Sequence, residues 1–280
     1  RAVPRPVTTI AAVNAEHHVL LYGAGKWRNL RGLATSSPAV IAVSGNPYVF
    51  VRGPDHNIWV RTPTTPWTQF GPAGTKCRSA PAAGGAHTTD VATGSITVAC
   101  RGAHHRLISA TESLPLPGPP LANQWSHPDV TLQGTPAVGY FQVGLTPTPL
   151  FATRNRHSDS VTFSPKRAHD EAVHQLVCSS SPDLTNTGSV VAAGPFTPEQ
   201  VPWIRVDSVS DSTNLIPNPW TGPVAVAMPP TGPLLVGVSA TGKIQELRQP
   251  ASPWGSQQWR GLSTAKFSGP RTPLRHGRYS

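Results

Sequence analysis

Short apolar runs of five to seven residues, separated by turn residues, recur along the chain. In the clearest unit, over residues 36–62, Ser-Ser-Pro-Ala-Val precedes Tyr-Val-Phe-Val-Arg-Gly, then a Pro-Asp-His-Asn turn, then Ile-Trp-Val-Arg-Thr. Trp27 and Trp67 open short runs on either side of this unit. Runs of this length between turn residues predict short antiparallel strands joined by tight hairpins.

The unit recurs in weaker form, and each copy is marked by a tryptophan: Trp27, Trp67, Trp125, Trp203 and Trp259. A four-stranded antiparallel unit repeated every ~40–60 residues is typical of β-propeller blades. The first unit lacks an opening strand, and residues 270–274 stand at the matching place after the last tryptophan. The sequence therefore predicts an all-β fold, a single β-propeller over residues 1–280, with its ring closed by the N- and C-terminal strands.

The number of blades depends on the gap of 78 residues between Trp125 and Trp203. Six blades follow if this gap hides a boundary without a tryptophan. However, the segment between the apolar runs that end at Phe163 and begin at His174 is too short for two further strands. We therefore expect five blades, with an inserted hairpin within residues 165–202 and a basic tail over residues 274–280.

The composition fits a β-rich chain with many loops. The 32 prolines and 25 glycines among 280 residues argue against a helix bundle, because proline inside a helix costs roughly 3 kcal/mol. A hydrophobic fraction of 38% argues against disorder. The uncharged stretch over residues 221–242 is as long as a membrane span, but its four prolines favour two short strands instead of a transmembrane helix.

The charge balance indicates the kind of partner. With 23 Lys and Arg against 13 Asp and Glu, the formal net charge is +10 and the pI is about 10.3. Such a chain favours anionic partners, including acidic glycans, phospholipid headgroups, nucleic acid or an acidic protein face. Nucleic acid is the least favoured of these, because basic residues alternate with aromatics only around Arg52, Trp59 and Arg61.

Cysteine use indicates the compartment. Cys77 precedes the opening strand of the second unit and Cys100 lies in its next strand, so neighbouring antiparallel strands would bring them within disulfide distance. We predict this disulfide, with Cys178 left over. The first residues, Arg-Ala-Val-Pro-Arg-Pro, are typical of the exposed start of a processed chain. A secreted or cell-envelope location is expected.

The run over residues 49–61, Val-Phe-Val-Arg-Gly-Pro-Asp-His-Asn-Ile-Trp-Val-Arg, resembles the repeat of PLL-type and tectonin-like bacterial β-propeller lectins. The resemblance implies sugar binding in clefts between blades through Trp, Arg and small polar residues. Repeats that resemble this one also occur as appended, non-catalytic modules of secreted actinobacterial proteins, so the resemblance implies a source of that kind. The candidate ligand-binding residues are Arg52, Asp55, Trp59, Arg61 and Arg101. The Asp-Gly of the family turn is Asp55-His56 here, so we expect some of the sugar sites to be degenerate.

Other chemistry is less well supported by the sequence. The turn histidines, among them His56, fall on different units, so no metal site is predicted. No Gly-x-Ser-x-Gly elbow or phosphate-binding loop is present. The leading hypothesis is a non-catalytic module that binds a glycan or an acidic partner, with no cofactor. The alternatives are an accessory subunit of a larger envelope or enzyme complex, with degenerate sugar sites, and a five-bladed glycosidase using paired carboxylates.

Overall fold

The computed structural model describes residues 9–43, 46–72, 74–87, 94–114, 125–143, 146–154, 161–164, 183–184, 191–196, 201–206, 213–215, 225–227, 234–238, 243–248 and 260–261. Apart from one turn of 3-10 helix at Ala103–His105, the regular elements in these residues are β-strands. The fold is all-β, as the alternation of short apolar runs and turn residues predicts.

The first half of the chain forms three antiparallel sheets in which strands adjacent in sequence are paired. The first sheet contains β1 (Ile10–Val13), β2 (His18–Gly23) and β3 (Lys26–Leu33). The second contains β4 (Ala39–Val43), β5 (Asn46–Arg52), β6 (Ile58–Arg61) and β7 (Thr68–Phe70). The third contains β8 (Ala82–His87), β9 (Gly94–Arg101) and β10 (Leu107–Leu114).

The second half forms three more sheets with the same antiparallel pairing. The fourth contains β11 (Gln133–Val143), β12 (Thr146–Arg154) and β13 (Val161–Ser164). The fifth contains β14 (Asp183–Leu184), β15 (Val191–Phe196), β16 (Val201–Val206) and β17 (Thr213–Leu215). The sixth contains β18 (Ala225–Ala227), β19 (Leu234–Val238), β20 (Ile244–Arg248) and β21 (Arg260–Gly261).

The described residues thus form six sheets, where the sequence favours five blades and keeps six as the alternative. The difference lies in the segment interpreted as an inserted hairpin, whose first predicted strand, residues 174–178, is outside the described residues. Its second spans residues 189–193, of which residues 191–193 fall in β15, a strand that pairs with β14 and β16 in a sheet of its own. Because β14 and β17 are only two and three residues long, their sequences carry little strand periodicity.

Neighbouring sheets pack face to face, so their strands are apolar on both sides. On β5, Val49 packs towards the first sheet in a buried cluster with Leu21. The next residue, Phe50, lies in a second cluster with Ile108 of the third sheet. A third cluster that includes Val138 joins the third and fourth sheets. Contacts between sheets also run through their first strands, from β4 to β8, β11, β14 and β18 in turn.

The first sheet packs against the sixth. Ala12 on β1 and Ile244 on β20 are buried in one cluster, against which Leu20, Trp27 and Val236 also pack. The two ends of the order of sheets therefore meet through apolar side chains. The segment predicted to supply the closing strand, residues 270–274, is outside the described residues.

The tryptophans that mark the units pack between sheets where the structure describes their side chains, at Trp27, Trp67 and Trp125. The Nε1–H group of Trp67 donates to the carbonyl oxygen of Leu30 in the first sheet at 3.2 Å. Trp125 makes an edge contact with Phe70, with ring centroids 6.2 Å apart. Large rings at a repeated position thus contribute to the apolar area buried between sheets.

Candidate binding surface

A backbone contact between successive sheets recurs at the turns that follow β1, β5 and β9. A histidine adopts the left-handed conformation in each turn, with φ of 65° at His17, 64° at His56 and 60° at His105. Histidine tolerates this conformation better than most residues. The three carbonyl oxygens accept hydrogen bonds from the N–H groups of Ala34 at 3.0 Å, Cys77 at 3.0 Å and Leu132 at 2.8 Å. Each turn thereby positions the loop that leads into the next sheet.

The residue that follows in each loop meets an arginine at the end of a second strand. The N–H group of Thr35 donates to the carbonyl oxygen of Arg52 at 2.9 Å, and that of Arg78 donates to the carbonyl oxygen of Arg101 at 2.7 Å. In the fourth sheet, Gln133 stands opposite Arg154 in the ladder between β11 and β12. The last residues of β5, β9 and β12 are therefore arginines in equivalent positions of three consecutive sheets.

The arginines act on one another electrostatically. The pKa of the Arg52 guanidinium lies below its usual value. Burial is the larger cause, and the positive charge of Arg101 is the smaller one. Burial, followed by the charges of Arg78 and Arg154, likewise lowers the pKa of Arg101. Within the described ranges, no carboxylate forms an ion pair with Arg52, Arg78 or Arg101. The junctions thus bring several positive charges together, and three of them, on Arg52, Arg78 and Arg101, have no neutralising carboxylate from these ranges.

The two predicted arginines at these strand ends, Arg52 and Arg101, differ in how firmly they are held. Arg52 is half-buried, and it donates from Nε to Thr35 Oγ1 at 2.9 Å and from Nη2 to the Thr35 carbonyl at 2.8 Å. Arg101 makes only long contacts, from Nη2 to the Arg78 carbonyl and from Nη1 to His105 Nδ1, both at 3.4 Å. Its buried Nε has no hydrogen-bond partner in the described part of the chain. Arg101 therefore keeps more donor capacity for a ligand.

Asp55 and Trp59 are brought together, but by the turn between β5 and β6. The carboxylate accepts from Asn57 N at 3.1 Å, Asn57 Nδ2 at 2.8 Å and Trp59 Nε1 at 3.2 Å. Burial raises the pKa of Asp55, but the hydrogen bonds from Trp59 and Asn57 and the charge of Lys76 outweigh it and hold the pKa below its usual value. The indole packs against the cluster between the first two sheets. Both side chains are engaged in building the turn.

Arg61 ends β6, away from the strand end that carries Arg52. In the register of β5 with β6, it stands opposite Val49, whereas Arg52 stands opposite Ile58. Three residues of strand separate the two positions, which is about 10 Å. The guanidinium of Arg61 donates to the carbonyl oxygen of Leu30 in the first sheet. This interaction joins two sheets, so Arg61 serves the interface between them.

Three residues at the junctions were missed by the sequence reasoning: Thr35, Arg78 and Arg154. Thr35 and Arg78 lie in loops that carry little strand pattern, and only the repeated Ser-x-Pro or Ser-Ala-Pro step after them marks the position. Arg154 ends its apolar run at the same position as Arg52 and Arg101 end theirs. Aligning the last residue of each second strand would therefore have identified it.

The disulfide predicted between Cys77 and Cys100 is present, with the two Cα atoms 5.8 Å apart. Both cysteines are fully buried in the cluster between the second and third sheets. Cys77 immediately precedes Arg78, and Cys100 immediately precedes Arg101. The bridge therefore fixes the backbone of both arginines at this junction.

Two further features bear on the chemistry. Where the structure describes the chain, no three His, Cys, Asp or Glu side chains come together in a way that would hold a metal ion. Among the same residues, no helix has the length and apolar character needed to cross a membrane.

No protein-family model matches the chain, and none of the curated proteins does. Solved structures do match. The chain is similar to the Aleuria aurantia lectin, whose structure is described as a six-bladed β-propeller fold with a novel mode of fucose recognition. The identity is 11% and the TM-score 0.59, over 95% of this chain and 92% of that one.

Two further solved structures match with similar scores. For AofleA from Arthrobotrys oligospora, the identity is 9% and the TM-score 0.58, over 93% of this chain and 87% of that one. For the SapL1 lectin in complex with α-methyl fucoside, the identity is 10% and the TM-score 0.53, over 95% and 97%. At these identities the similarity concerns the fold alone, and it shows that this chain has the β-propeller fold.

Proposed function

We propose that this protein is a non-catalytic β-propeller module that binds glycans at the junctions between its sheets. The observation that carries the proposal is the recurrence of Arg52 and Arg101 at equivalent strand ends, each beside the loop that enters its own sheet from the preceding one. A guanidinium offers up to five donors in a fixed fork, which suits the closely spaced oxygens of a sugar. The similar solved structures include lectins described with fucose or a fucoside, which supports this reading.

We infer that the ring has six blades and is closed. The six sheets and the cluster of Ala12 with Ile244 support this inference. On this account, the first blade contains β1, β2 and β3 as its second, third and fourth strands. The C-terminal residues 270–274 supply its opening strand. The PLL-type and tectonin-like assignment of the repeat stays a prediction, supported by the sequence of β5 and β6.

A secreted or envelope-associated location forms part of the proposal. The Cys77–Cys100 disulfide supports it, because disulfides persist in oxidising compartments. An acidic protein, such as the partner subunit of an envelope complex, is a second candidate ligand. The net charge of +10 favours such a partner as well as an acidic glycan.

Glycoside hydrolysis is the less favoured reading of the same fold. A glycosidase needs two carboxyl groups roughly 5–10 Å apart across the scissile bond, one of them free to exchange a proton. The carboxylate of Asp55, the acidic residue proposed for the ligand site, instead accepts three hydrogen bonds within its own turn. Its lowered pKa also makes it a poor general acid near neutral pH.

A glycan array tests the proposal. We expect the purified chain to bind a restricted set of glycans, and the double variant R52Q/R101Q to lose most of that signal. A matched control is K26Q/R28Q, which removes the same charge from exposed positions on β3. Absence of binding to every glycan, or release of new reducing ends from the bound ones, would contradict the proposal.

A further inference from the structure

The fold lines up a group of four arginines, which we call the arginine strip: Arg52, Arg78, Arg101 and Arg154. Three of them end equivalent strands of the second, third and fourth sheets, and Arg78 stands in the loop between the second and third. The hydrogen bond from Arg78 N–H to the Arg101 carbonyl fixes this loop against the strand end. The strip therefore crosses two successive junctions between sheets.

The arginine strip holds like charges close together, which destabilises the protein when no ligand is bound. Like charges placed together repel, and partial burial weakens the hydration that would otherwise screen them. The lowered pKa values of Arg52 and Arg101 report this repulsion and burial. In the described part of the chain, no Asp or Glu pairs with Arg52, Arg78 or Arg101. An anionic ligand would relieve the repulsion, whereas a neutral sugar would not.

The donor groups that remain suit carboxylate or sulfate groups. Arg78 is exposed, so its guanidinium is accessible to a ligand. Arg101 is held only by contacts of 3.4 Å. Guanidinium groups bind such anions through paired, charge-assisted hydrogen bonds. Arginines at successive junctions would each meet a different charged group of an extended chain.

Aromatic positions argue against nucleic acid as the occupant. Binding of single strands relies on bases stacked on exposed aromatic rings beside the basic residues. Trp59 and Trp67, the tryptophans of the second sheet, pack against the cluster between the first two sheets. The Trp59 indole N–H is also engaged with Asp55. The strip thus offers charge and hydrogen bonds without a stacking surface from these rings.

We propose that the arginine strip binds an acidic polysaccharide, whose carboxylate or sulfate groups engage arginines at successive junctions between sheets. This inference rests on the proposed glycan-binding function and names its ligand class. It predicts multivalent binding that weakens with salt, because ionic screening acts on every contact.

The test measures the affinity of the protein for four labelled probes by fluorescence anisotropy: heparin, hyaluronan, dextran and a single-stranded oligonucleotide. Each affinity is measured at about 0.05 and about 0.15 M NaCl to show the salt dependence, since the Debye length is about 8 Å at the higher concentration. We expect heparin or hyaluronan to bind and dextran to bind at least about tenfold more weakly. R52Q/R101Q should lose at least about tenfold in affinity, against less than about twofold for K26Q/R28Q.

Two additional variants keep the result interpretable. R78Q changes an exposed side chain, so it should fold normally and still lower affinity about threefold. R101K keeps the charge but loses the paired donors, so it should lower affinity more than K26Q/R28Q does. Melting temperatures of all variants show whether a loss of binding follows from unfolding. If R52Q/R101Q is unfolded, the R78Q result decides.

Several outcomes would overturn the proposal that the arginine strip binds an acidic polysaccharide. Equal losses for R52Q/R101Q and K26Q/R28Q would show a diffuse charge effect. An oligonucleotide bound as tightly as the acidic glycans would show a general polyanion site. Binding of neutral glycans on the array, with no binding of heparin or hyaluronan, would refute acidic polysaccharide as the ligand of the strip. The proposed glycan-binding function would still stand. Failure to bind any glycan, neutral or acidic, would refute both.

Discussion

At the scale of single residues, Asp55 shows how a candidate ligand-binding side chain can serve the turn instead. Its carboxylate closes the turn between β5 and β6 through Asn57 and Trp59. The sequence identified the residue as important because the position matches the family turn. It could not show the hydrogen bonds, since these depend on the φ of 64° at His56 and on the rotamer of Trp59.

Asp55 also gives a prediction about pH. Its folded-state pKa lies below the unfolded value of about 3.9, so its contribution to stability is complete above that pH and is lost as the pH falls through the folded pKa. We expect D55N to melt below the wild type at pH 7 and to approach it near pH 3. Thermal unfolding of both proteins across this range checks the prediction. A constant difference at every pH would contradict it.

A second prediction concerns the close approach of Trp125 to Gly71. Gly71 has a φ of 83°, and a Cβ atom there would lie 2.6 Å from Trp125 Nε1. Gly74 has a φ of 94°, but a Cβ atom there would meet nothing within 4 Å. G74A should therefore cost about 1 kcal/mol from backbone strain, and G71A about 2–4 kcal/mol from strain and steric overlap together. Chemical denaturation measures both, and equal losses would refute the role of the tryptophan contact.

At the scale of elements, the sequence predicted most strands of the first three sheets. Runs such as the one that becomes β5 are bounded by clear turn residues and alternate between two buried faces. The fifth sheet was not recognised as separate, because its outer strands are too short to show a period. The contacts of the turn histidines with the next sheet were also missed, because a backbone hydrogen bond leaves little mark on side-chain choice.

The disulfide gives the prediction at this scale. It closes a loop with a sequence separation of 23 residues, so its loss should cost roughly 2–4 kcal/mol. We expect C77A/C100A to unfold at a lower denaturant concentration, and the wild type to behave similarly when reductant is added. Reductant should leave the double variant unchanged, which serves as the control. Peptide mapping without reductant that shows Cys100 joined to Cys178 would contradict the assignment.

At the scale of the whole molecule, the sequence predicted the propeller but favoured the smaller number of repeats. The spacing of tryptophans carried that preference. Trp203 lies in β16 of the fifth sheet, and no tryptophan falls between it and Trp125, so the spacing showed no boundary between the fourth and fifth sheets. The packing of Ala12 against Ile244 could not be read from the sequence, since these residues are distant along the chain and depend on the arrangement of all six sheets.

Ring closure by the C-terminal segment leads to a further prediction. If residues 270–274 pair with the first sheet, truncation after Lys266 should lower the melting temperature by several degrees, on the scale of roughly 1–3 kcal/mol. Removal of the tail after Leu274 alone is the matched control and should change little. Differential scanning calorimetry of the three proteins measures the effect. Equal melting temperatures would contradict closure by this segment.

The central claim, that glycans bind at the arginine-bearing junctions, is tested most directly by NMR of the arginine Nε–H groups during titration with a glycan. The signals are assigned from single arginine variants. We predict that Arg52 and Arg101 shift in a saturable way while Arg28, on the exposed face of β3, stays unchanged. Saturable binding that leaves both junction arginines unmoved would contradict the account.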